Sequence, residues 1–418
     1  MLKNNYICAL DIGSSKISAV AVEIKNRAIN KIFFDTVVSK SVKKGVIVDS
    51  LELSASVNKV LNNLREKSGL KIKFIYTNIS GQDIITKHSH AIIPLAERGN
   101  KVINRYDVLR VNEQARVLGS SLEEEIVHQI PYNYAIDSKA GIANPIGLYS
   151  HRLEVDLYLI CAKLASVQSL TRAVNQSGYD IRSLLFSGLA TSSVVMDARL
   201  KNGINIFCDI GSDITELLVF RDGTLTNVSV LDVGGDSLTM ELSEALKIPF
   251  ELAEDVKRSY SSAGTAASSG DNREILIKKD NVYRPIKQSI VCDIITSKTL
   301  SICQLIKENV EKVTESSKVD SFVACGRTIL LEGFLEALES RLAIPVKLGR
   351  IVDKDIISAI NREDAFSGQK HLNYLTALGI LCSVMQKTQP HQATNKQSSL
   401  NPFVKIANKV EEIYQEYF

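Results

Sequence analysis

The sequence predicts an α/β protein of two halves that face one bound nucleotide, and a repeated turn carries this prediction. The tetrapeptide Asp-Ile-Gly-Ser occurs at 11–14 and again at 209–212, each time at the end of a short apolar run. The residues that follow, 16–24 and 214–220, are strand-like, whereas a Rossmann or Walker loop runs into a helix. One such turn is also typical of an ordinary hairpin, but its repetition in matching context favours phosphate binding.

The chemistry of the repeated turn indicates a metal-bound nucleotide. Gly13 and Gly211 allow the backbone to approach an anion, and successive N–H groups in such a turn form a concave anion site. Hydroxyl donors follow at Ser14, Ser15 and Ser212. Asp11 and Asp209 would repel a bare phosphate, but a Mg²⁺ ion with its retained waters fits between a carboxylate and a phosphate. We therefore expect both aspartates to contact the metal through water.

The composition is that of a globular protein. The chain has 418 residues, of which 45% are hydrophobic and 23% charged, enough for two or more cores. Its formal net charge of +3 does not favour binding to nucleic acid. Seven cysteines lack metal-type spacing, so we expect reduced core cysteines in a cytosolic protein. Asp11 interrupts the first apolar run, and we expect neither a signal peptide nor a transmembrane helix.

The spacing of apolar residues divides the first half of the chain into two segments of different character. The spacing of apolar residues predicts a helix over 51–67 that stops at Gly69. A segment of different character follows, with a predicted helix over 106–118 and predicted strands at 72–80, 82–93, 125–136 and 153–162. The second half begins near Gly203.

The middle of this second segment carries a resemblance to a known family. His-Gln-Ile-Pro-Tyr-Asn-Tyr-Ala-Ile-Asp at 128–137, Asn-Pro-Ile-Gly-Leu at 144–148 and Arg-Leu-Glu-Val at 152–155 resemble the signature of FtsA, the actin-like bacterial cell-division protein. The resemblance extends over most of the chain, including both hairpins. It implies a two-lobed α/β fold of the actin and heat-shock chaperone ATPase type. It also implies an inserted α+β subdomain, called 1C and SHS2-like, for which a generic α+β insertion is the alternative.

The resemblance implies a division into subdomains. Subdomain 1A comprises 1–79, 163–202 and 365–385, and subdomain 1C is inserted at 80–162. Subdomain 2A comprises 203–235 and 319–364, and subdomain 2B lies at 236–318. A flexible linker at 386–400 and an amphipathic helix at 401–418 complete the expected organisation.

The nucleotide-binding residues of the family are implied one by one. The first phosphate loop is implied at Asp11, Gly13, Ser14, Ser15 and Lys16, with the Lys16 ammonium at the β- or γ-phosphate, and the second at Asp209, Gly211 and Ser212. Further contacts to ATP are implied at Gly234, Gly235, Glu254, Lys257 and Gly326. Glu254 and Lys257 lie one helical turn apart, so a solvent-exposed ion pair is an equal alternative for them.

The chain departs from the family pattern at several positions. Cys325 and Arg327 replace glycines of the adenosine-contact loop, and the sequence leaves open whether the Cys325 side chain narrows the base pocket. Asp213 replaces another common glycine and adds negative charge beside the phosphates. Ser187 stands where related ATPases place the glutamine or glutamate that orients the attacking water. We therefore expect ATP binding with slow or no hydrolysis.

The sequence of residues 386–418 indicates a second function. The segment 386–400 is polar, and Asn401 and Pro402 form a good start for a helix. That helix places on one face the apolar side chains of Phe403, Ile406, Ala407, Val410, Ile413, Tyr414 and Tyr417. We expect it to lie on the lipid bilayer, because family members end in such a helix. A helix that docks on protein is the alternative, since acidic residues outnumber lysines on its polar side.

The resemblance implies a cytoskeletal adaptor at the cytoplasmic face of the cell membrane, at the division site. Such a protein tethers FtsZ filaments, polymerises itself and binds other division proteins through 80–162. The FtsZ C-terminal peptide is expected on 236–318, whose basic residues would steer an acidic peptide, unless they form only a solvated surface. A PilM-like pilus-assembly ATP-binding protein is the alternative. A small-molecule kinase is a third class, but it needs a catalytic aspartate for which the sequence offers no recognisable setting.

Overall fold

The structure is a computed structural model of the chain. It describes residues 6–26, 28–96, 99–197, 202–263, 273–279, 282–360 and 372–388. Two five-stranded sheets, one in each half, carry the body of the molecule, and a four-stranded sheet is inserted into the first half. The α/β class and the two halves predicted from the sequence are therefore confirmed.

The first half has a central sheet formed by β1 (Tyr6–Ile12), β2 (Lys16–Lys25), β3 (Ala28–Val38), β6 (Phe74–Ile79) and β13 (Asp180–Phe186). The first three strands form an antiparallel meander, and the other two add in parallel, in the order β13-β6-β1-β2-β3. A small hairpin, β4 (Val42–Lys43) and β5 (Val46–Ile47), follows the meander. The helices are α1 (Ser50–Ser68), α3 (Leu164–Gln176), α4 (Ser187–Val195) and α10 (Leu375–Thr388).

Helix α1 confirms the helix predicted over 51–67. The Asp49 side chain accepts hydrogen bonds from the N–H groups of Leu51 and Glu52, and Gly69 ends the helix with a φ of 68°. Its apolar face is buried against the sheet through Leu53, Val57, Val60, Leu61 and Leu64. The helix therefore supports the sheet that carries the first Asp-Ile-Gly-Ser turn.

The second half repeats this sheet. Its strands are β14 (Ile204–Ile210), β15 (Thr215–Arg221), β16 (Thr224–Leu231), β19 (Val319–Cys325) and β20 (Val346–Leu348). Again a three-stranded meander is followed by two parallel strands, in the order β16-β15-β14-β19-β20. The helices are α5 (Gly235–Leu246), α6 (Phe250–Tyr260), α7 (Gln288–Glu311), α8 (Phe334–Leu342) and α9 (Lys354–Ile360), and a hairpin is formed by β17 (Glu274–Lys279) and β18 (Val282–Lys287).

Helix α7 corrects one expectation. It is long and apolar enough, by length and composition, to cross a membrane, and no other helix in the described ranges is. No such stretch is expected from the sequence. The apolar side chains of Val291, Ile295, Ile302 and Ile306 are buried in the core of the second half. Packing in this core accounts for the composition, because a core helix needs the same apolar residues.

The insert is an α+β unit. Its strands are β7 (Ile84–Pro94), β8 (Lys101–Val102), β9 (Glu124–Ile136), β10 (Lys139–Ile142), β11 (Tyr149–Ser150) and β12 (Arg152–Lys163). The four longer strands form an antiparallel sheet in the order β10-β9-β12-β7, and β8 pairs with β11. Helix α2 (Arg105–Gly119) begins with a capping box between Asn104 and Asp107 and buries Val111 and Ala115 in the core of this unit.

The insert and both halves share one hydrophobic core. Tyr158 from the insert, Phe186 from the first half and Phe207 from the second half are buried together. The Tyr158 hydroxyl accepts a hydrogen bond from the Val228 N–H at 2.8 Å, and the His128 ring accepts one from the Phe186 N–H at 2.9 Å. The insert is thus anchored to both halves.

All seven cysteines are buried free thiols, as the sequence predicted. The predicted membrane helix at 401–418 lies outside the described residues, and so does 389–400 of the predicted linker. Residues 386–388 are not linker, because they complete the last turn of α10.

Candidate nucleotide site

The two repeated turns have the same geometry. In the β1–β2 turn the Gly13 N–H donates to the Lys16 carbonyl at 3.0 Å, and in the β14–β15 turn the Gly211 N–H donates to the Ile214 carbonyl at 2.9 Å. A Cβ atom would lie 3.1 Å from the Lys16 carbonyl oxygen at Gly13 and 3.0 Å from the Ile214 carbonyl oxygen at Gly211. A side chain at either glycine would therefore crowd the turn.

The charged residues of the two turns lie close enough to influence one another. Burial raises the pKa of Asp11 from 3.8 to about 7, the Lys16 ammonium opposes this rise, and the Asp209 charge adds to it. Burial also raises the pKa of Asp209 to about 6, again opposed by Lys16. The pKa of Lys16 falls to about 8, mainly through burial. The structure therefore brings these three groups together between the halves.

Asn78, at the end of β6, fixes the first turn and was missed by the sequence analysis. Its side-chain amide donates to Asp11 Oδ1 at 3.0 Å, and its side-chain oxygen accepts from the Ile12 N–H at 2.7 Å. The same amide donates to the Ser187 hydroxyl at 2.9 Å. Ser187 therefore lies beside the first turn, with Asn78 between its hydroxyl and Asp11.

The other residues predicted to bind the phosphates also lie at the turns. Lys16 Nζ donates to the Asn373 carbonyl at 2.6 Å and to the Asn373 side-chain oxygen at 3.0 Å, so the segment before α10 positions the ammonium. Within the described ranges, the hydroxyls of Ser14, Ser15 and Ser212 have no hydrogen-bond partner. These three groups are available to donate to an anion.

Gly234 and Gly235 pack on the second turn. The Gly235 N–H donates to the Gly211 carbonyl at 3.0 Å. A Cβ atom on Gly234 would lie 2.5 Å from the Ser212 carbonyl oxygen, closer than real side chains approach. The start of α5 therefore reaches the turn in a way that a larger residue would prevent.

Glu254 and Lys257 form a partly buried network on α6. Their side chains pair at 2.6 Å, and only 12% of the Lys257 side chain is exposed. Lys257 Nζ also donates to the Gly235 carbonyl at 2.8 Å, and Glu254 accepts from Arg258 at 2.7 Å. The pair therefore braces the backbone of the glycines above the second turn.

Gly326 closes the second turn from the other side. Its φ is 94°, and a Cβ atom there would lie 2.2 Å from the Ile210 carbonyl oxygen. The side chain of the preceding Cys325 is 1% exposed and lies beside Asp209. The strand direction turns this side chain into the hydrophobic core.

Glu216 is a second residue that the sequence analysis missed. It lies opposite Asp209 in the β14–β15 register, is 4% exposed and accepts a hydrogen bond from the Ser80 hydroxyl of the first half. Burial raises the pKa of Glu216 to about 8, and the charges of Asp209 and Asp11 add to this rise. The available signal was a glutamate inside the apolar strand 215–220, where a charge is costly without a partner.

Asp213 contacts the other half of the molecule. Its carboxylate accepts a hydrogen bond from the Lys44 N–H at 2.9 Å, and the Lys44 side chain pairs with Asp232 at 3.4 Å. From the sequence, Asp213 is expected only to add negative charge beside the phosphates. The structure gives it a structural partner in the β4–β5 hairpin as well.

The donor set fits a nucleotide with a hydrated magnesium ion. Among the described residues, no group of three or more His, Cys, Asp or Glu side chains could hold a metal ion directly. Asp11 and Asp209 offer two carboxylates whose ionised forms a divalent cation and its waters would stabilise. The glycine-rich turns, the free hydroxyls and Lys16 are suitable ligands for phosphate oxygens.

Comparison with known families gives two matches to family models. The family model described as "Cell division protein FtsA" matches residues 206–379, and the model described as "SHS2 domain inserted in FTSA" matches residues 81–161. The chain is 25% identical over 426 residues to the cell division protein FtsA of Borreliella burgdorferi, covering 100% of this chain and 99% of that protein. It is 26% identical over 382 residues to that of Bacillus subtilis, covering 91% and 84% respectively.

Solved structures show the same fold. The PilM-PilN type IV pilus biogenesis complex contains a chain similar to this one with a TM-score of 0.64 and 16% identity, covering 92% of this chain and 99% of that chain. MreB5 of Spiroplasma citri bound to AMPPNP is similar with a TM-score of 0.51 and 10% identity, covering 98% of each chain. These likenesses, together with the matched insert, confirm the predicted actin-like fold with an SHS2 insertion.

Proposed function

Because the chain belongs to the FtsA family of cell-division proteins, we propose that it is an ATP-binding adaptor that tethers FtsZ filaments to the cytoplasmic membrane and polymerises itself. The observation that carries the proposal is the pair of matching turns that converge between the two halves. A nucleotide held by both turns stabilises the closed arrangement of the halves and so acts as a switch for assembly at the division site.

Mg-ATP is the ligand that the site supports best. Asp11 and Asp209 would hold the metal through water, and the two turns with Lys16 would bind the phosphates. The more distant parts of the nucleotide contact Gly234, Gly235, Gly326, Glu254 and Lys257. Magnesium supplies the positive charge that these carboxylates and the phosphates require together. Hydrolysis is slow or absent, because the short Ser187 side chain is engaged by Asn78.

Calorimetric titration with Mg-ATP tests the nucleotide site. We expect the intact chain to bind, and we expect the double substitution Asp11→Asn with Asp209→Asn to weaken Mg-ATP binding about 10-fold or more. Titration in the presence of a chelator is the internal control. Without magnesium these carboxylates cannot strengthen ATP binding, so the double substitution should then not weaken it. Asp180→Asn, on the exposed edge of the first sheet, should leave affinity unchanged. An intact chain that does not bind Mg-ATP contradicts the proposal.

The FtsZ peptide is assigned to the surface of 236–318. Leu276 of β17 is 65% exposed and Ile290 at the start of α7 is 44% exposed. Arg273 and Lys287 are exposed beside them. Apolar anchors next to basic side chains suit an acidic peptide, since the charges steer its approach and the apolar contacts hold it.

The insert supports contacts with further copies of the chain or with other division proteins. Tyr106, Leu109, Leu148 and Tyr149 are all more than two-fifths exposed. Tyr149 lies on β11, which pairs with β8, and Tyr106 lies at the start of α2. A cluster of exposed apolar residues on one small unit is typical of an interaction surface.

Recruitment of FtsZ to lipid vesicles tests the adaptor role. We expect the intact chain to carry FtsZ filaments to vesicles, and a chain that ends at Leu400 to leave both proteins in solution. Ile406→Glu places a charge on the apolar face of the helix that the sequence predicts over 401–418 and should abolish recruitment, whereas Glu412→Gln on the predicted polar face should preserve it. Equal recruitment by the intact and shortened chains removes the membrane role. Failure to bind an FtsZ tail peptide would favour the PilM-like class instead.

A further inference from the structure

Arg327 occupies a position at the nucleotide site that the sequence analysis assigned to a glycine in related proteins. Its two neighbours are tied to the second turn. Gly326 packs against the Ile210 carbonyl, and the Thr328 hydroxyl donates to the Gly211 carbonyl at 2.7 Å. The Thr328 hydroxyl would also lie 2.6 Å from a Cβ atom on Gly235. The residues on either side of Arg327 therefore contact both glycine-rich segments of the site, and these contacts fix the Arg327 backbone there.

The other cations around the site already have partners. Lys257 and Arg258 both pair with Glu254, at 2.6 Å and 2.7 Å, and Lys16 donates twice to Asn373. Arg327 is only partly exposed, and its side chain makes no hydrogen bond or ion pair with any residue that the structure describes. Within that part of the chain, its guanidinium is thus a cation at this site that is not held in an ion pair.

The electrostatic surroundings of Arg327 are repulsive. Partial burial and the nearby Arg258 hold the pKa of Arg327 below its usual range, and only Glu254 opposes them. The charge of Arg327 also contributes to the lowered pKa of Lys16, which belongs to the other half. The charges of Lys16 and Arg327 are thus close enough to influence each other, and both would attract an anion placed between them.

We propose that Arg327 is a phosphate-binding residue of the nucleotide site, which holds the polyphosphate chain opposite Lys16 and so makes affinity depend on phosphate charge. The proposal rests on the ATP binding proposed above. A guanidinium presents a planar fork of donors that suits two phosphate oxygens at once, which a lysine ammonium does not. In this role Arg327 adds a ligand at a position where glycine would offer only its backbone.

Two other roles for Arg327 make different predictions. If the side chain merely obstructed the cleft, every shorter substitute would bind ATP more tightly. If the guanidinium stacked on the adenine ring, its contribution would depend little on salt. A contact with phosphate oxygens predicts loss of affinity on neutralisation, and a loss that shrinks as salt screens the charges.

Calorimetric titrations with Mg-ATP at about 50 mM and about 500 mM salt distinguish these roles. We expect Arg327→Gln to weaken binding about 10-fold at low salt and by a smaller factor at high salt. Arg327→Lys keeps the charge but not the fork, so it should recover most of the loss. Arg116→Ala removes an exposed arginine from the insert and should change affinity less than about 2-fold. Thermal unfolding of each variant without nucleotide checks whether the variant is still folded.

The outcomes separate this inference from the function on which it rests. Unchanged or tighter binding by Arg327→Gln overturns the role of Arg327 while leaving ATP binding intact. A loss of affinity that is equal at both salt concentrations also overturns it, because a charge contact must weaken with screening. An intact chain that does not bind Mg-ATP overturns both proposals.

Discussion

Three carboxylates at the base of the cleft are held where ionisation is unfavourable. Burial raises the pKa of Asp11 to about 7, of Asp209 to about 6 and of Glu216 to about 8. Lys16 offsets part of this cost for the two aspartates but is itself desolvated. A site with this charge arrangement favours a divalent cation, because the metal stabilises the ionised forms that burial disfavours.

Asp236 gives a prediction about pH at this scale. Burial and the Asp213 charge raise its pKa from 3.8 to about 7, with Lys257 in opposition and the Glu254 charge adding to the rise. The folded state therefore prefers the neutral carboxyl, so the stability it contributes is complete below about pH 4 and is lost as pH rises through about 7. Asp236→Asn mimics the neutral form. Between pH 5.5 and 8.5 the free energy of unfolding of this variant, relative to the unmodified chain, should rise by roughly 1–2 kcal/mol.

Urea unfolding of both chains at several pH values measures this difference. The nucleotide and magnesium are omitted, because either would change the charges around Asp236. Parallel stability curves for the two chains would show that Asp236 stays ionised in the fold.

At the scale of elements, the sequence predicts what local patterns determine. The β-hairpins at 6–25 and 204–221 and helix α1 follow from turn residues and apolar spacing, and the structure contains all three. The partners of these elements do not follow, because they are distant in the chain. Asn78 and Ser187 are 109 positions apart, Ser80 and Glu216 are 136 apart, and Lys44 and Asp213 are 169 apart. The first pair forms when β6 and β13 pair within one sheet, and the other two form only when the two halves meet.

The β4–β5 hairpin illustrates this limit. Its tight turn has Lys44 and Gly45 at positive φ, and a Cβ atom on Gly45 would lie 2.3 Å from the Ser80 carbonyl oxygen. This close approach presses the hairpin against the end of β6 and directs the Lys44 N–H toward Asp213. The sequence shows only that Asp213 brings a negative charge to a position where glycine is common. Its role as an acceptor depends on a hairpin that belongs to the other half.

At the scale of the whole molecule, the two halves are joined by two sets of contacts, one apolar and one polar. Tyr158, Phe186 and Phe207 form a shared apolar core that also holds the insert. Nearer the turns, Glu216 with Ser80 and Asp213 with Lys44 join the halves through polar groups. The apolar contacts bury side chains of both halves together, and the polar contacts join the halves beside the turns. Two of the polar side chains lie close to Asp209, because Glu216 is on β15 and Asp213 is in the β14–β15 turn.

Asp213 gives the prediction at this scale. Asp213→Ala removes the acceptor of the Lys44 N–H and should shift the nucleotide-free chain toward an open cleft by about 1–2 kcal/mol. Hydrogen exchange at Lys44 should become faster, and the radius of gyration from small-angle X-ray scattering should increase. Glu251→Ala is the matched control, since Glu251 also faces the other half but pairs with Lys40 at 3.7 Å through side chains that are more than two-thirds exposed. Unchanged exchange at Lys44 in Asp213→Ala would mean that Asp213 does not hold the cleft closed.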